Sequence, residues 1–115
     1  MLDQTKPVYQ RLRDVIAAGI LDGQYRDGDM LPSVRSLAAE HAANPLTVAK
    51  AYQSFQDEGL IAVKRGVGMF VAPNAATRLR ARLRDEFLNQ VWPPVAAQIR
   101  RLSIDPASLL DGIIA

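Results

Sequence analysis

The chain has no cysteine, one histidine and one tryptophan among its 115 residues. Without thiols there is neither a disulfide nor a thiolate metal site, so packing and hydrogen bonds must hold the fold. No stretch approaches the roughly 20 apolar residues of a membrane span. The start, Met-Leu-Asp-Gln-Thr-Lys, lacks the apolar core of an export signal, so the expected location is the cytoplasm with no membrane partner. An excess of one charge is missing too. Residues 1–72 hold eight Lys plus Arg against eight Asp plus Glu, and residues 73–115 hold six against four. A nucleic-acid role would therefore rest on where the charges sit, with dimerisation supplying affinity.

Groups suited to catalysis are equally scarce. His41 falls on the apolar stripe of a predicted helix with no nucleophile beside it, which reads as a core or boundary histidine. The adjacent acids Asp57-Glu58 and Asp85-Glu86 diverge by about 100° on a helix and do not face one another as an acid-base pair. Gly66-Val67-Gly68 lacks the following helix that a phosphate-binding loop requires. A non-enzyme is expected, with no catalytic residue, no metal ligand and no cofactor.

What the chain does have is clear helix punctuation. Ser33 and Asn44 are good N-cap residues, and Pro45 stands where the first amide of a helix has no partner anyway. Val34, Leu37, Ala38 and His41 follow the i, i+3, i+4, i+7 pattern in one helix; Val48, Ala51, Tyr52 and Phe55 do so in the next. Such closely spaced helices make a helix-turn-helix. The outer face of the second carries Leu46, Lys50, Gln53 and Asp57, with Thr47 on its flank. Recognition helices present their N-terminal residues to base edges, which places Thr47 and Lys50 for that task. An αα-hairpin with a solvated outer face would show the same pattern.

Beyond Glu58-Gly59, residues 60–72 read as two short strands joined at Arg65-Gly66-Val67-Gly68, with Lys64 and Arg65 at the base of the turn. Alone this is an ordinary hairpin; after a helix pair it makes a winged helix-turn-helix. Ahead of the pair, Pro7 opens a helix carrying Val8, Leu12, Val15, Ile16, Gly19 and Ile20 that ends at Gly23, and Met30-Leu31 is placed to add a strand to the wing.

After Pro73-Asn74 the composition changes. Leu79, Leu83, Phe87 and Val91 recur every four residues, with Trp92 alongside, until Pro93-Pro94 is expected to break or sharply kink the helix. Val95, Ile99 and Leu102 give a further apolar face, and Asp105-Pro106 caps a last short helix. The run Arg78, Arg80, Arg82, Arg84 spreads around the helix and reads as solvated. About 40 residues make a poor ligand pocket but a good dimer interface. The expected dimerisation residues are Leu79, Leu83, Phe87, Val91, Trp92 and Ile99. The fold class is mainly α (α+β): a winged helix-turn-helix over residues 1–73, followed by a short all-helical dimerisation region over residues 74–115.

Pro7-Val8-Tyr9-Gln10, Gly19-Ile20-Leu21-Asp22-Gly23, Gly28-Asp29-Met30-Leu31-Pro32-Ser33-Val34-Arg35, Asn44-Pro45-Leu46-Thr47-Val48-Ala49-Lys50-Ala51-Tyr52 and Arg65-Gly66-Val67-Gly68-Met69-Phe70-Val71 occur in one order. Together they resemble the GntR family of bacterial transcription regulators, and with a short tail in place of a large effector domain, its YtrA subfamily. The resemblance covers residues 7–72. It implies that Arg35 contacts DNA, that Thr47 and Lys50 lie on the recognition helix, and that Gly66 marks a wing tip approaching the minor groove. Ser33, Leu46, Lys64 and Arg65 complete the expected DNA-binding set. Four positions depart from the family pattern: Ser36 leaves the capping box opened by Ser33 incomplete, Leu46 stands where the subfamily is commonly polar, Ala49 stands where larger relatives often carry arginine, and Met69 occupies what is often threonine.

The expected function is thus a homodimeric repressor on a double-stranded DNA operator, with no residue pattern specifying a small-molecule effector. A winged-helix protein-interaction module is the alternative, supported by Leu46. A DNA-binding piece of a regulator fused to an aminotransferase-like domain is a third reading, disfavoured by a chain ending at Ala115.

Overall fold

The structure is a computed structural model that describes residues 6–114; the outermost ends of the two expected ranges, residues 1–5 and 115, lie outside the described residues. Two compact units divide the chain, Met1–Arg80 and Ala81–Ala115.

The first unit is built on three helices, α1 (Val8–Leu21), α2 (Val34–Glu40) and α3 (Pro45–Asp57), followed by strands β1 (Ile61–Lys64) and β2 (Gly68–Val71). Helix α4 (Ala75–Glu86) begins in it. Both predicted caps form. Ser33 Oγ accepts from the Ser36 amide at 3.1 Å, and Asn44 Oδ1 accepts from the Leu46 amide at 2.8 Å. The Ser33 hydroxyl in turn donates to the Ser36 hydroxyl at 3.0 Å, a bond between side chains that does not supply the box's second half, which would reach the Ser33 amide. Helix α2 stops without glycine: Ala42 takes φ of +50°, and the Ala43 amide closes on the Ala38 carbonyl at 2.9 Å. His41 thereby becomes the C-cap and is exposed, outside the core or boundary position expected for it.

The core joins Leu12, Ile16 and Ile20 of α1 to Leu37 of α2 and to Val48, Tyr52 and Phe55 of α3. At Gly19 the Tyr25 ring lies where a side chain would be, 2.5 Å from an ideal Cβ, so only glycine lets this turn close over α1. Arg13 of α1 stacks on Phe55 at 5.0 Å and reaches Glu58 at 3.4 Å, tying α1 to the end of α3.

One polar contact fixes the helix pair. The Tyr52 hydroxyl, buried with its ring, donates to the Pro32 carbonyl at 2.7 Å, linking the middle of α3 to the residue before the Ser33 cap. Burial first, and the charges of Tyr25 and Glu40 second, push this phenol well above its ordinary value.

The strands pair antiparallel from Ile61↔Val71 to Lys64↔Gly68 around the tip Arg65-Gly66-Val67, where Gly66 has φ of +79°. The expected third strand forms as a bridge between Met30 and Phe70, flanked by Gly28 N–H to Val71 O and Leu31 N–H to Met69 O, both 2.8 Å.

The unit runs past Pro73-Asn74, so the expected boundary falls inside it. Asp27 accepts from the Asn74 amide at 2.8 Å, and Ala75 and Leu79 are buried. Leu79, expected on a dimerisation stripe, is 1% exposed and belongs to this core. Two arginines of the run are also engaged with backbone. Arg78 donates to the Glu58 and Gly59 carbonyls at 3.0 Å each, capping α3, and Arg80 donates to the Leu21 carbonyl at 3.3 Å, at the end of α1.

In the second unit the helical backbone continues through the prolines. Phe87–Val91 form a π-helical turn in which the Trp92 amide reaches back to Phe87 O, and α5 (Trp92–Arg101) follows with Pro93 and Pro94 in its first turn. Proline in a regular helix lacks its donor and presses on the carbonyl four residues earlier; a wider turn just upstream makes room for the rings, though it cannot supply the missing donors. Phe87 and Trp92 stack across it, centroids 6.5 Å apart. Helix α6 (Pro106–Ile114) starts with the Asp105 carboxylate accepting from the Ala107 amide at 3.0 Å.

Tyr52→Phe should lower stability by about 1–2 kcal/mol by leaving the Pro32 carbonyl unpaired, read by chemical denaturation. Because the folded phenol resists ionisation, the unfolded chain binds fewer protons above about pH 10, so this group's contribution to stability should be constant below that pH and fall above it. The fall should be shallower in Tyr52→Phe. Arg78→Ala should cost about 1 kcal/mol in the same assay, with Arg78→Lys losing less.

Candidate nucleic-acid interface

A surface that reads DNA needs side chains held rigidly by the backbone yet free of internal partners. Helix α3 buries Val48, Ala51, Tyr52 and Phe55 and therefore turns Leu46, Lys50, Gln53 and Asp57 outward. Gln53 and Asp57 satisfy each other at 2.9 Å. Lys50 makes no hydrogen bond or ion pair among the described residues, and the same holds for Arg35 in the first turn of α2 and Arg65 at the wing tip. A positive charge in a first helical turn opposes the helix dipole, so Arg35 gains nothing where it stands unless an anion meets it.

Each expected DNA-binding residue has a definite place. Ser33 is exposed but occupied as the α2 cap; Arg35, Leu46, Lys50, Arg65 and Gly66 are exposed; Thr47 is half-buried, its amide bonded to Asn44 O at 2.9 Å. Lys64 lies over the Phe70 ring at 4.6 Å, which steadies the base of the wing and leaves its charge near the surface. The Val67 amide closes the tip onto Lys64 O at 2.9 Å.

Two groups that position this surface went unforeseen. The Tyr52 ring is readable from periodicity, but the destination of its hydroxyl depends on how α2 crosses α3. Arg78 lies 19 and 20 residues from the carbonyls it caps, and no local pattern signals such a contact. Nothing here resembles a metal site: among the described residues no group of three or more His, Asp or Glu side chains gathers. Nor is any described helix long and apolar enough to cross a membrane.

Comparison with known proteins agrees with this geometry. The sequence pattern of the bacterial regulatory proteins of the gntR family matches residues 4–71. Over 109 residues the chain is 29% identical to YhcF of Bacillus subtilis, an uncharacterized HTH-type transcriptional regulator, covering 95% of this chain and 88% of that one. It is 42% identical over 73 residues to the HTH-type transcriptional repressor YtrA of Bacillus subtilis, covering 64% of this chain and 56% of that one. Among solved structures, a GntR family transcriptional regulator from Listeria monocytogenes superposes with a TM-score of 0.74 at 27% identity, covering 97% of this chain and 96% of that one. YtrA from Sulfolobus acidocaldarius, a GntR-family transcription factor, superposes with a TM-score of 0.57 at 33% identity, covering 77% and 95%. With its helix-turn-helix, its wing and this breadth of similarity, the chain belongs to the GntR family and is a YtrA-like transcriptional regulator with an N-terminal DNA-binding domain.

Proposed function

We propose that the chain acts as a homodimeric repressor that binds a pseudo-palindromic DNA operator, each copy placing α3 in a major groove. The observation that carries the dimer is in the second unit. From Ala81 to Ile114 no described residue is buried, while Phe87, Leu88, Val91, Trp92, Leu109 and Ile113 are all exposed. Apolar helices of this size do not stay uncovered in water, and a second copy offers the same face by two-fold symmetry. Leu83 and Ile99 are half-buried and flank that face.

The DNA-facing roles follow from side-chain chemistry. Arg35 offers a planar fork for guanine O6 and N7 or for phosphate; Lys50 is a point charge for either. Thr47, half-buried at the helix start, suits a phosphate oxygen. Lys64, Arg65 and Gly66 carry the wing tip toward a neighbouring groove, where the missing side chain of Gly66 permits close approach. Repression is supported by the similarity to the Bacillus subtilis transcriptional repressor YtrA, and acts most simply by occupying the promoter.

Fluorescence anisotropy of the full chain on a duplex from upstream of its own gene, titrated with random competitor, tests this reading. Saturable, competitor-resistant binding is expected, falling on the order of a thousandfold between 50 and 200 mM salt if about six phosphates are engaged. A flat salt response would favour the protein-interaction alternative. Arg35→Ala and Lys50→Ala should each weaken binding by roughly 1–3 kcal/mol. Light scattering at micromolar concentration should give twice the chain mass, and Trp92→Asp should give a monomer; a monomeric wild type would overturn the dimer.

A further inference from the structure

Leu46 is the most exposed large apolar side chain among the described residues of the first unit, at 72%, ahead of Val67 at 62%. It is also among the most firmly presented. Pro45 precedes it with a fixed φ, the Asn44 cap holds its amide at 2.8 Å, and its helix is pinned by the Tyr52 hydroxyl. It points away from the buried face of α3, on the same side as Lys50 one turn later. With its amide already bonded and no polar atom in its side chain, this position has no donor for a phosphate and none for a base. The packing of the first unit does not use it.

We infer that Leu46 is a specificity residue, reading the C5-methyl group of a thymine in the major groove; this rests on the DNA-binding role proposed above. The thymine methyl is the one apolar feature on the major-groove edges of the four bases. A leucine placed there gains by removing that methyl and its own branched end from water. Opposite cytosine or a purine it would instead cover polar groups without pairing them, which is unfavourable. Because backbone and helix are already fixed, little order is lost on contact. Leu46 and Lys50 then divide the work, a methyl for one and a guanine edge or phosphate for the other.

The test starts from duplexes selected out of a random pool by the full-length chain. In the best duplex each thymine is replaced singly by deoxyuridine, which removes only the methyl. In the wild type, one thymine per half-site should respond, uracil weakening binding about fourfold for one half-site and about fifteenfold for both, the value of one buried methyl. Leu46→Ala should fold normally, since the side chain is largely exposed, and should bind thymine and uracil duplexes alike; Leu46→Met should keep the discrimination. A selected duplex indifferent to uracil at every position, or an undiminished uracil effect in Leu46→Ala, would overturn the assignment and leave the proposed regulator standing. If the selection returned no duplex, the DNA-binding role would fall and this inference with it.

Discussion

The hydrogen bond from Tyr52 to the Pro32 carbonyl sets the geometry on which the reading surface depends. Apolar packing between α2 and α3 is non-directional and would tolerate a range of crossing angles. A buried hydroxyl with a single acceptor tolerates few, because leaving either partner unpaired costs more than the bond is worth. Its acceptor lies one residue before the Ser33 cap and three before Arg35. The contact therefore fixes Arg35 against the outer face of α3, where Leu46 and Lys50 stand. At the far end of α3, the exposed Arg78 guanidinium caps the Glu58 and Gly59 carbonyls.

The two compact units are built on opposite balances. The first closes a core around Leu12, Tyr52, Phe55 and Leu79 and leaves unpaired cations outside. The second closes no core, and its apolar side chains stay at the surface. That difference explains why a net charge near neutrality is no obstacle to the proposed role. Affinity from a few well-placed cations is modest, and it is doubled up when two copies bind one duplex.

Features set within a few residues were legible in the sequence, and those set by distant partners were not. The caps at Ser33 and Asn44 and the wing tip at Gly66 depend on neighbours in the chain; the bridge from Met30 to Phe70 is the exception, a distant pairing that the short strand-like run Met30-Leu31 foreshadowed. Leu79 misled because periodicity records which residues share a face and says nothing of what covers it. His41 misled because α2 ends one residue earlier than its apolar spacing suggests, in a cap where Ala42 accepts a conformation that glycine usually takes. Pro93-Pro94 marked a true disturbance, but a π-helical turn absorbs it and the helix goes on. For the interface residues, the sequence named the exposed cations, and the resemblance assigned them their roles.

The third strand of the wing has a consequence for the rate of folding. Residues 28–31 pair with residues 69–71, so this bridge closes a chain segment of roughly 40 residues, whereas the helix pair and the β1–β2 hairpin close over far shorter ones. Closure entropy grows with that separation, and contacts between distant residues form late. The helices and hairpin can assemble independently, but the wing is fastened to the entry of α2 only when both ends of the first unit have been brought together. The seam behind the wing thus belongs with the long closures of this unit, beside Arg13 to Glu58 and Asp27 to Asn74, and a nascent chain must have emerged as far as Val71 before it can be sewn.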